Sequence, residues 1–193
     1  MDAKASPRER LLEAANELFY REGVHSVGID RVIEHAGVAK ASLYSTFGSK
    51  DELVRCYLER RHEARRAHVM AWLERYATPR ERLLGVFDVL GEIVSAPEFR
   101  GCAFVNALAE SRTKSPIESA SAMMRAWVRQ LFVDLAADAG VADPEALARR
   151  LVLLYDGALH GAYMDHDPAR PALARELAAE LVGASAGADR RDR

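Results

Sequence analysis

The sequence predicts an all-α protein, and three observations carry that prediction. Helix-start signals recur along the chain, apolar residues behind them repeat at helical spacing, and no stretch alternates apolar and polar residues long enough between turn signals to argue a strand. The start signal is Ser or Thr followed three residues later by Glu, at Ser6/Glu9, Ser49/Glu52, Thr78/Glu81 and Ser115/Glu118. In such a pair the two side chains satisfy amide groups that a new helix leaves unpaired. Pro7, Pro79 and Pro116 reinforce three of these starts, since the fixed φ of proline suits the first helical position. Asp143-Pro144-Glu145 and Asp167-Pro168 read as two further starts.

Nine helices follow in order. The first, about 7–22, gathers Leu11, Leu12, Ala15, Leu18 and Phe19 on one face; the second, about 29–36, does so with Ile29, Val32, Ile33 and Ala36. Gly37 supplies the positive φ of a tight turn, Val38 plugs it, and a short third helix occupies about 40–46. Its Leu43, with Phe47 just beyond, turns inward. Lys40, Ala41, Ser42, Tyr44, Ser45 and Thr46 are left outward or lateral. A long fourth helix spans about 50–76 with Leu53, Val54, Tyr57 and Leu58 inside, and the fifth spans about 79–95 with Leu83, Val86, Phe87, Leu90 and Val94. The remaining four, about 101–111, 116–139, 144–164 and 169–182, are richer in aromatic residues and Met. The change in character puts a boundary near 48–55, giving a small domain over 1–50 and a larger one over 51–193.

Composition narrows the function. With 193 residues, 49% hydrophobic and 29% charged, the chain is an ordinary globular protein with enough apolar surface for a real core. Its net charge of −2 exerts no global pull on nucleic acid, so contact with DNA must rest on a local patch. Two cysteines, Cys56 and Cys102, and no hydrophobic leader after Met1-Asp2-Ala3-Lys4 point to a reducing cytoplasm. No apolar run approaches the roughly 20 residues of a membrane span.

The segment from Ile29 to Phe47 has the layout of a helix-turn-helix, whose second helix enters the major groove with its first residues at base edges. Residues 1–62 carry 10 basic and 10 acidic side chains, yet none from His35 to Lys50 is acidic, and Lys40 and Lys50 bracket the short helix. Lys50 also opens the fourth helix, where free amides receive a phosphate. An ordinary helical hairpin has the same turn; the turn and the charge bracket together favour DNA.

The run Gly37-Val38-Ala39-Lys40-Ala41-Ser42-Leu43-Tyr44-Ser45-Thr46-Phe47-Gly48-Ser49-Lys50-Asp51-Glu52-Leu53 resembles the DNA-binding signature of the tetracycline-repressor (TetR) family, with the Leu11 to Gly23 helix at the usual distance before it. Gly101 to Ala107 is similar to a segment of one broad subset of that family. The resemblance implies a homodimeric transcriptional regulator, usually a repressor, released from an inverted-repeat operator when a small molecule fills the C-terminal domain. It also implies that Tyr44 and Lys50 hold phosphates while Lys40, Ala41, Ser42 and Ser45 face the bases, with Thr46 beside them. Two departures stand out. Val27-Gly28 occupies the place where the family often has a capping Ser or Thr, and the short helix has no Arg, Asn or Gln, the bidentate readers of guanine and adenine. Direct base readout is therefore expected to be modest.

The second half has its own physics. The 144–164 helix is apolar around most of its circumference and must be covered on two sides. With the Leu173, Leu177, Ala178, Leu181 stripe of the last helix, this predicts a two-fold four-helix interface through Leu147, Leu151, Leu154, Ala158, Leu173, Leu177 and Leu181. Aromatic, thioether and amide groups on the central helices suggest an effector pocket of Phe87, Phe104, Asn106, Met123, Trp127, Tyr155 and His160. For any one of these residues taken singly, a plain core is the stronger reading. The fourth helix would link pocket and DNA-binding domain as a lever of roughly 40 Å.

No catalytic constellation, metal site or cofactor motif is expected: the chain has no Gly-x-Ser-x-Gly, phosphate-binding glycine loop or paired-cysteine pattern, and His160, Asp165, His166 and Asp167 fit a solvated turn. The expected partners are double-stranded DNA, a second copy and a small-molecule effector. Two alternatives stay open: a regulator of the same fold controlled by a protein partner or by no ligand, and a small all-α enzyme.

Overall fold

A computed structural model describes residues 5–111 and 115–188, with side chains to residue 185; Met1-Asp2-Ala3-Lys4 lie outside it. The described residues form nine helices and no strand: α1 Pro7–Glu22, α2 Ile29–Ala36, α3 Lys40–Phe47, α4 Lys50–Leu73, α5 Pro79–Val94, α6 Ala103–Ala109, α7 Pro116–Asp138, α8 Pro144–Met164 and α9 Arg170–Ala188. The helix-start signals are made of real bonds. Ser6 and Glu9 close a full capping box at α1, as Thr78 and Glu81 do at α5. At α4 and α7 the Ser49 and Ser115 hydroxyls accept from the Glu52 and Glu118 amides at 3.2 and 3.3 Å, and the Asp143 carboxylate caps α8 through the Ala146 amide.

Three ends differ from expectation. The fourth helix stops at Leu73, because the Arg75 and Tyr76 amides turn to carbonyls only three residues back and tighten the last turn. Gly101, at φ 78°, cannot be helical, so α6 begins at Ala103. The last helix runs on to Ala188 through small residues, none of which breaks it.

The chain divides into two compact units, 1–64 with 102–124 and 65–101 with 125–193, two of the three divisions falling inside the continuous helices α4 and α7 and the third just before α6. In the first unit α1 packs on α2 and α3. Leu11, Val27, Leu43, Leu53, Tyr57 and Leu58 are fully buried, with the Phe19 and Tyr57 rings edge to face at 5.7 Å. The backbone amide of His25 donates to the Glu110 carboxylate, tying the α1–α2 loop to the end of α6. In the second unit α5, α8 and α9 pack together. A chain of rings, Phe87 to Phe132 to Tyr155 at 5.7 and 6.1 Å, runs through its core. The Tyr76 hydroxyl donates to Asp88 at 2.7 Å, and Arg175 pairs with the same carboxylate at 3.0 Å.

Within the chain, the residues of the interface stripe drawn from sequence differ in exposure. Leu147, Leu151 and Ala158 are 2%, 0% and 5% exposed within the chain's own second unit, so no surface is left on them for a partner. An apolar helix of 3.6-residue period gives its inner face to its own core first. The large apolar residues exposed on α8 are Leu153, Tyr163 and Met164, the first and last at 73% and 75% exposure; those on α9 are Leu173 and Leu177. Leu154 and Leu181 are half-buried.

Candidate nucleic-acid interface

The helix-turn-helix forms because its turn is chemically specified. Gly37 adopts left-handed geometry, φ 61° and ψ 41°, and its amide and that of Val38 return to Glu34 and Ile33 carbonyls, closing α2. The Arg10 guanidinium of α1 donates to the Gly37 carbonyl, so the first helix holds the turn directly. Leu43 and Phe47, at 0% and 6% exposure, anchor α3 from beneath, and Arg8 lies 5.9 Å over the Phe47 ring. What remains outside is Lys40, Ala41, Tyr44, Ser45 and Thr46, with Ser42 half-buried.

Each of these side chains has a definite chemical state. Lys40 pairs with Asp30 of α2 at 2.7 Å, and that hydrogen bond raises the pKa of its ammonium. The hydroxyls of Ser45 and Thr46 donate back to the Ser42 carbonyl at 3.2 and 2.6 Å, leaving their oxygens as acceptors. Tyr44 is 48% exposed. Lys50 is half-buried with its ammonium 5.9 Å over the Phe19 ring; burial pushes its pKa down, while Glu110 and Asp51 act the other way.

Neither α2 nor α3 has a side-chain cap. Gly28 and Ala39 stand at the N-cap positions, and Ser26 makes no bond to the first turn of α2. First-turn amides without an internal partner are anion receptors. The basic run of α4 divides its roles: Arg55 is held by Glu52 and Glu59, Arg60 pairs with Glu13 at 2.7 Å, and Arg61 lies 3.8 Å over the Tyr20 ring and donates to Asn16.

The pocket residues fall into both units. Phe104 is buried and Asn106 and Met123 are exposed in the first; Phe87 and Tyr155 are buried and Trp127 and His160 half-buried in the second. Of the seven, Trp127 and Tyr155 line a cavity inside the second unit, walled by Val69, Val86, Leu90 and Val128. Its volume is about 10 Å³, room for roughly one water. Among the described residues no three His, Cys, Asp or Glu side chains gather as metal ligands, and no helix is long and apolar enough to cross a membrane.

Sequence reasoning missed two groups here. The Lys40–Asp30 pair and the Arg10 contact join residues 10 and 27 positions apart, with no short-range pattern to announce them.

A buried three-helix scaffold presenting a short, exposed, sparsely acidic helix defines a helix-turn-helix DNA-binding protein. Residues 11–56 match the family model for bacterial regulatory proteins of the tetR family. Among solved structures, a putative TetR transcriptional regulator from Streptomyces avermitilis shares 36% identity over 94% of this chain and 98% of its own, with a TM-score of 0.84. A TetR-family regulator from Streptomyces coelicolor shares 35% over 93% of each chain, with a TM-score of 0.79. The transcriptional activator FasR of Mycolicibacterium smegmatis is 33% identical over 87 residues, which span 45% of this chain and 40% of that protein. The chain belongs to the TetR family and is a DNA-binding transcriptional regulator; the relatives it matches are regulators, not enzymes.

Proposed function

We propose that the protein is a homodimeric repressor, working in the cytoplasm, that leaves an inverted-repeat operator when a small apolar or amphipathic effector binds. The observation that carries the DNA half is the outer face of α3, exposed from Lys40 to Thr46 while Leu43 and Phe47 hold it in place. In this reading residues 1–50 bind DNA: Tyr44, Lys50 and the uncapped amides of α2 and α3 take phosphates, and Lys40, Ala41, Ser42 and Ser45 meet bases with Thr46 alongside. Residues 51–193 carry effector binding and dimerisation.

The dimer half is supported by the outward faces of α8 and α9. Leu153, Met164, Leu173 and Leu177 are large apolar side chains left exposed there, which favours a partner on these faces. Nothing within 4 Å would meet a Cβ added at Gly157, so its face of α8 is open to a second helix. For the effector, Trp127 and Tyr155 line the cavity of the second unit. The apolar walls favour an apolar ligand, and at about 10 Å³ the cavity must open to admit one. That small volume also favours a second reading, a regulator governed by a protein partner or by no ligand.

The test is DNA selection from a random duplex pool with the purified full chain, followed by sedimentation and effector titration on the selected site. Enrichment of a two-fold symmetric site by a dimer, released by apolar compounds that quench Trp127 in a Trp72→Phe background, is expected. Leu153→Glu with Leu177→Glu should give folded monomers that lose the site. A dimer surviving both changes would place the interface elsewhere, and effector affinity identical with and without DNA would leave the partner-driven reading.

A further inference from the structure

Glu110 lies outside the 1–50 span assigned to DNA binding, at the end of α6, yet it belongs to the first compact unit and meets the loop that joins α1 to α2. Its carboxylate is set against that loop by both oxygens. Oε2 accepts from the His25 backbone amide, and Oε1 would lie 3.0 Å from a Cβ added at Gly23. We propose that Glu110 is a positioning residue for DNA binding, fixing the α1–α2 loop and through it the start of α2 in the helix-turn-helix. This rests on the reading above in which the first turn of α2 and Lys50 meet phosphate.

The close approach is built into the backbone. Gly23 sits at φ 90° and ψ 151°, a conformation that favours glycine, and its missing side chain leaves the space that the carboxylate fills. A carboxylate at the carbonyl end of α1 is poorly placed on its own, since that end carries partial negative charge. Two groups offset this. The His25 amide is aimed at it, and Lys50 is close enough to feel it: burial lowers the pKa of that ammonium, and the Glu110 charge is the larger of the two that oppose the shift.

The position of the bond gives it leverage on α2. His25 stands three residues before Gly28, the N-cap of α2, and no side chain caps that helix. The start of α2 therefore takes its direction from the loop. Val27, at 0% exposure, holds the loop from inside, and Glu110 holds it from outside. Folding gains little from such a bond, because Glu110 is exposed and water replaces a lost acceptor. Its charge on Lys50 is the smaller effect, because water and salt screen an exposed carboxylate.

Three substitutions in the full chain separate hydrogen bond from charge. Glu110→Gln keeps an acceptor at the same reach without the charge, Glu110→Asp keeps the charge without the reach, and Glu110→Ala removes both. Anisotropy titrations use the duplex selected as above and a random-sequence duplex, since phosphate contacts carry no sequence information. Glu110→Ala and Glu110→Asp should weaken both duplexes roughly 2–10-fold, the equilibrium factor of one ordinary hydrogen bond, because a loop in its bound geometry for part of the time lowers apparent affinity by that fraction. Glu110→Gln should stay within about twofold of the parent. The His25 amide resonance should shift in the Ala and Asp variants alone, and melting temperatures should move by less than about 2 °C. Lys50→Ala is the control on the underlying reading: if it leaves both duplexes unaffected, the phosphate contacts fail whatever Glu110 does. Tighter binding by the Gln and Ala variants together would make Glu110 a charge competing for Lys50. Unchanged binding in Glu110→Ala, or a loss that tracks melting temperature, would leave it a structural contact. Each of these results overturns the proposal.

Discussion

Replacing Gly37 by Ala tests whether the turn between α2 and α3 rests on glycine's backbone freedom or on the contact that glycine leaves open. At φ 61° and ψ 41°, an L-residue brings its Cβ against the carbonyl and costs roughly 1–2 kcal/mol. The new methyl would also lie 2.7 Å from the Arg10 guanidinium. That group is the far end of a flexible, solvent-facing side chain, so it swings away cheaply and water takes its place on the Gly37 carbonyl. The backbone term therefore dominates, and Gly37→Ala should lose about 1–2 kcal/mol, or roughly 2–8 °C in the melting temperature of a chain this size. Gly37→Asn should lose less, because Asn tolerates the left-handed region. Urea and thermal unfolding of the full chain measure both. The discriminating variant is Arg10→Ala combined with Gly37→Ala: if clash with Arg10 were the main cost, the pair would regain stability. Recovery in the double variant, or a Gly37→Ala protein as stable as the parent, would refute the reasoning.

Three further outcomes are expected. Asp30→Asn releases Lys40 from its 2.7 Å ion pair, so duplex binding should tighten and preference among operator variants at the base Lys40 meets should sharpen by up to about 1–3 kcal/mol; unchanged preference in competition titrations would mean Lys40 does not reach a base. A Cβ at Gly85 would run into Cε2 of the Tyr76 ring, which is tethered through Asp88 to Arg175, so Gly85→Ala should destabilise by about 1–3 kcal/mol despite alanine's better helix propensity. Tyr76→Leu should relieve that clash in chemical denaturation. Bonds from Thr78 hold the Glu81 carboxyl below its ordinary 4.5, so its stabilising contribution is complete above that pH and is lost as pH falls through the lowered value. Glu81→Gln should thus weaken the protein at neutral pH and show a smaller further loss in acid unfolding.

How much of this was legible in one dimension depends on the range of the interaction. Helix starts are local: a hydroxyl at the N-cap reaches an amide three residues on, so Ser6/Glu9 and Thr78/Glu81 could be read directly and the bonds are there. The Gly37 turn, and Leu43 and Phe47 beneath α3, were equally readable, because a tight turn and a one-sided short helix are set by neighbouring residues. The reading of α8 went only halfway. Its period showed an excess of apolar residues around the helix, but which face its own domain claims is a matter of packing, and packing took Leu147, Leu151 and Ala158 inward and left Leu153 and Met164 outside.

Long-range pairs carried no such signal. Lys40 with Asp30, Arg10 with the Gly37 carbonyl and Asp88 with Tyr76 and Arg175 join residues that only tertiary folding brings together. The Phe99 and Tyr163 rings are the plainest case: they meet edge to face at 6.1 Å although they lie more than sixty residues apart in the chain. Local chain geometry, acting over three or four residues, thus determined the helices, the turn and the outward face of α3. The allocation of apolar surface between core, partner and cavity was decided in three dimensions, because burial is a property of what packs against a residue and the sequence states only that the residue is apolar.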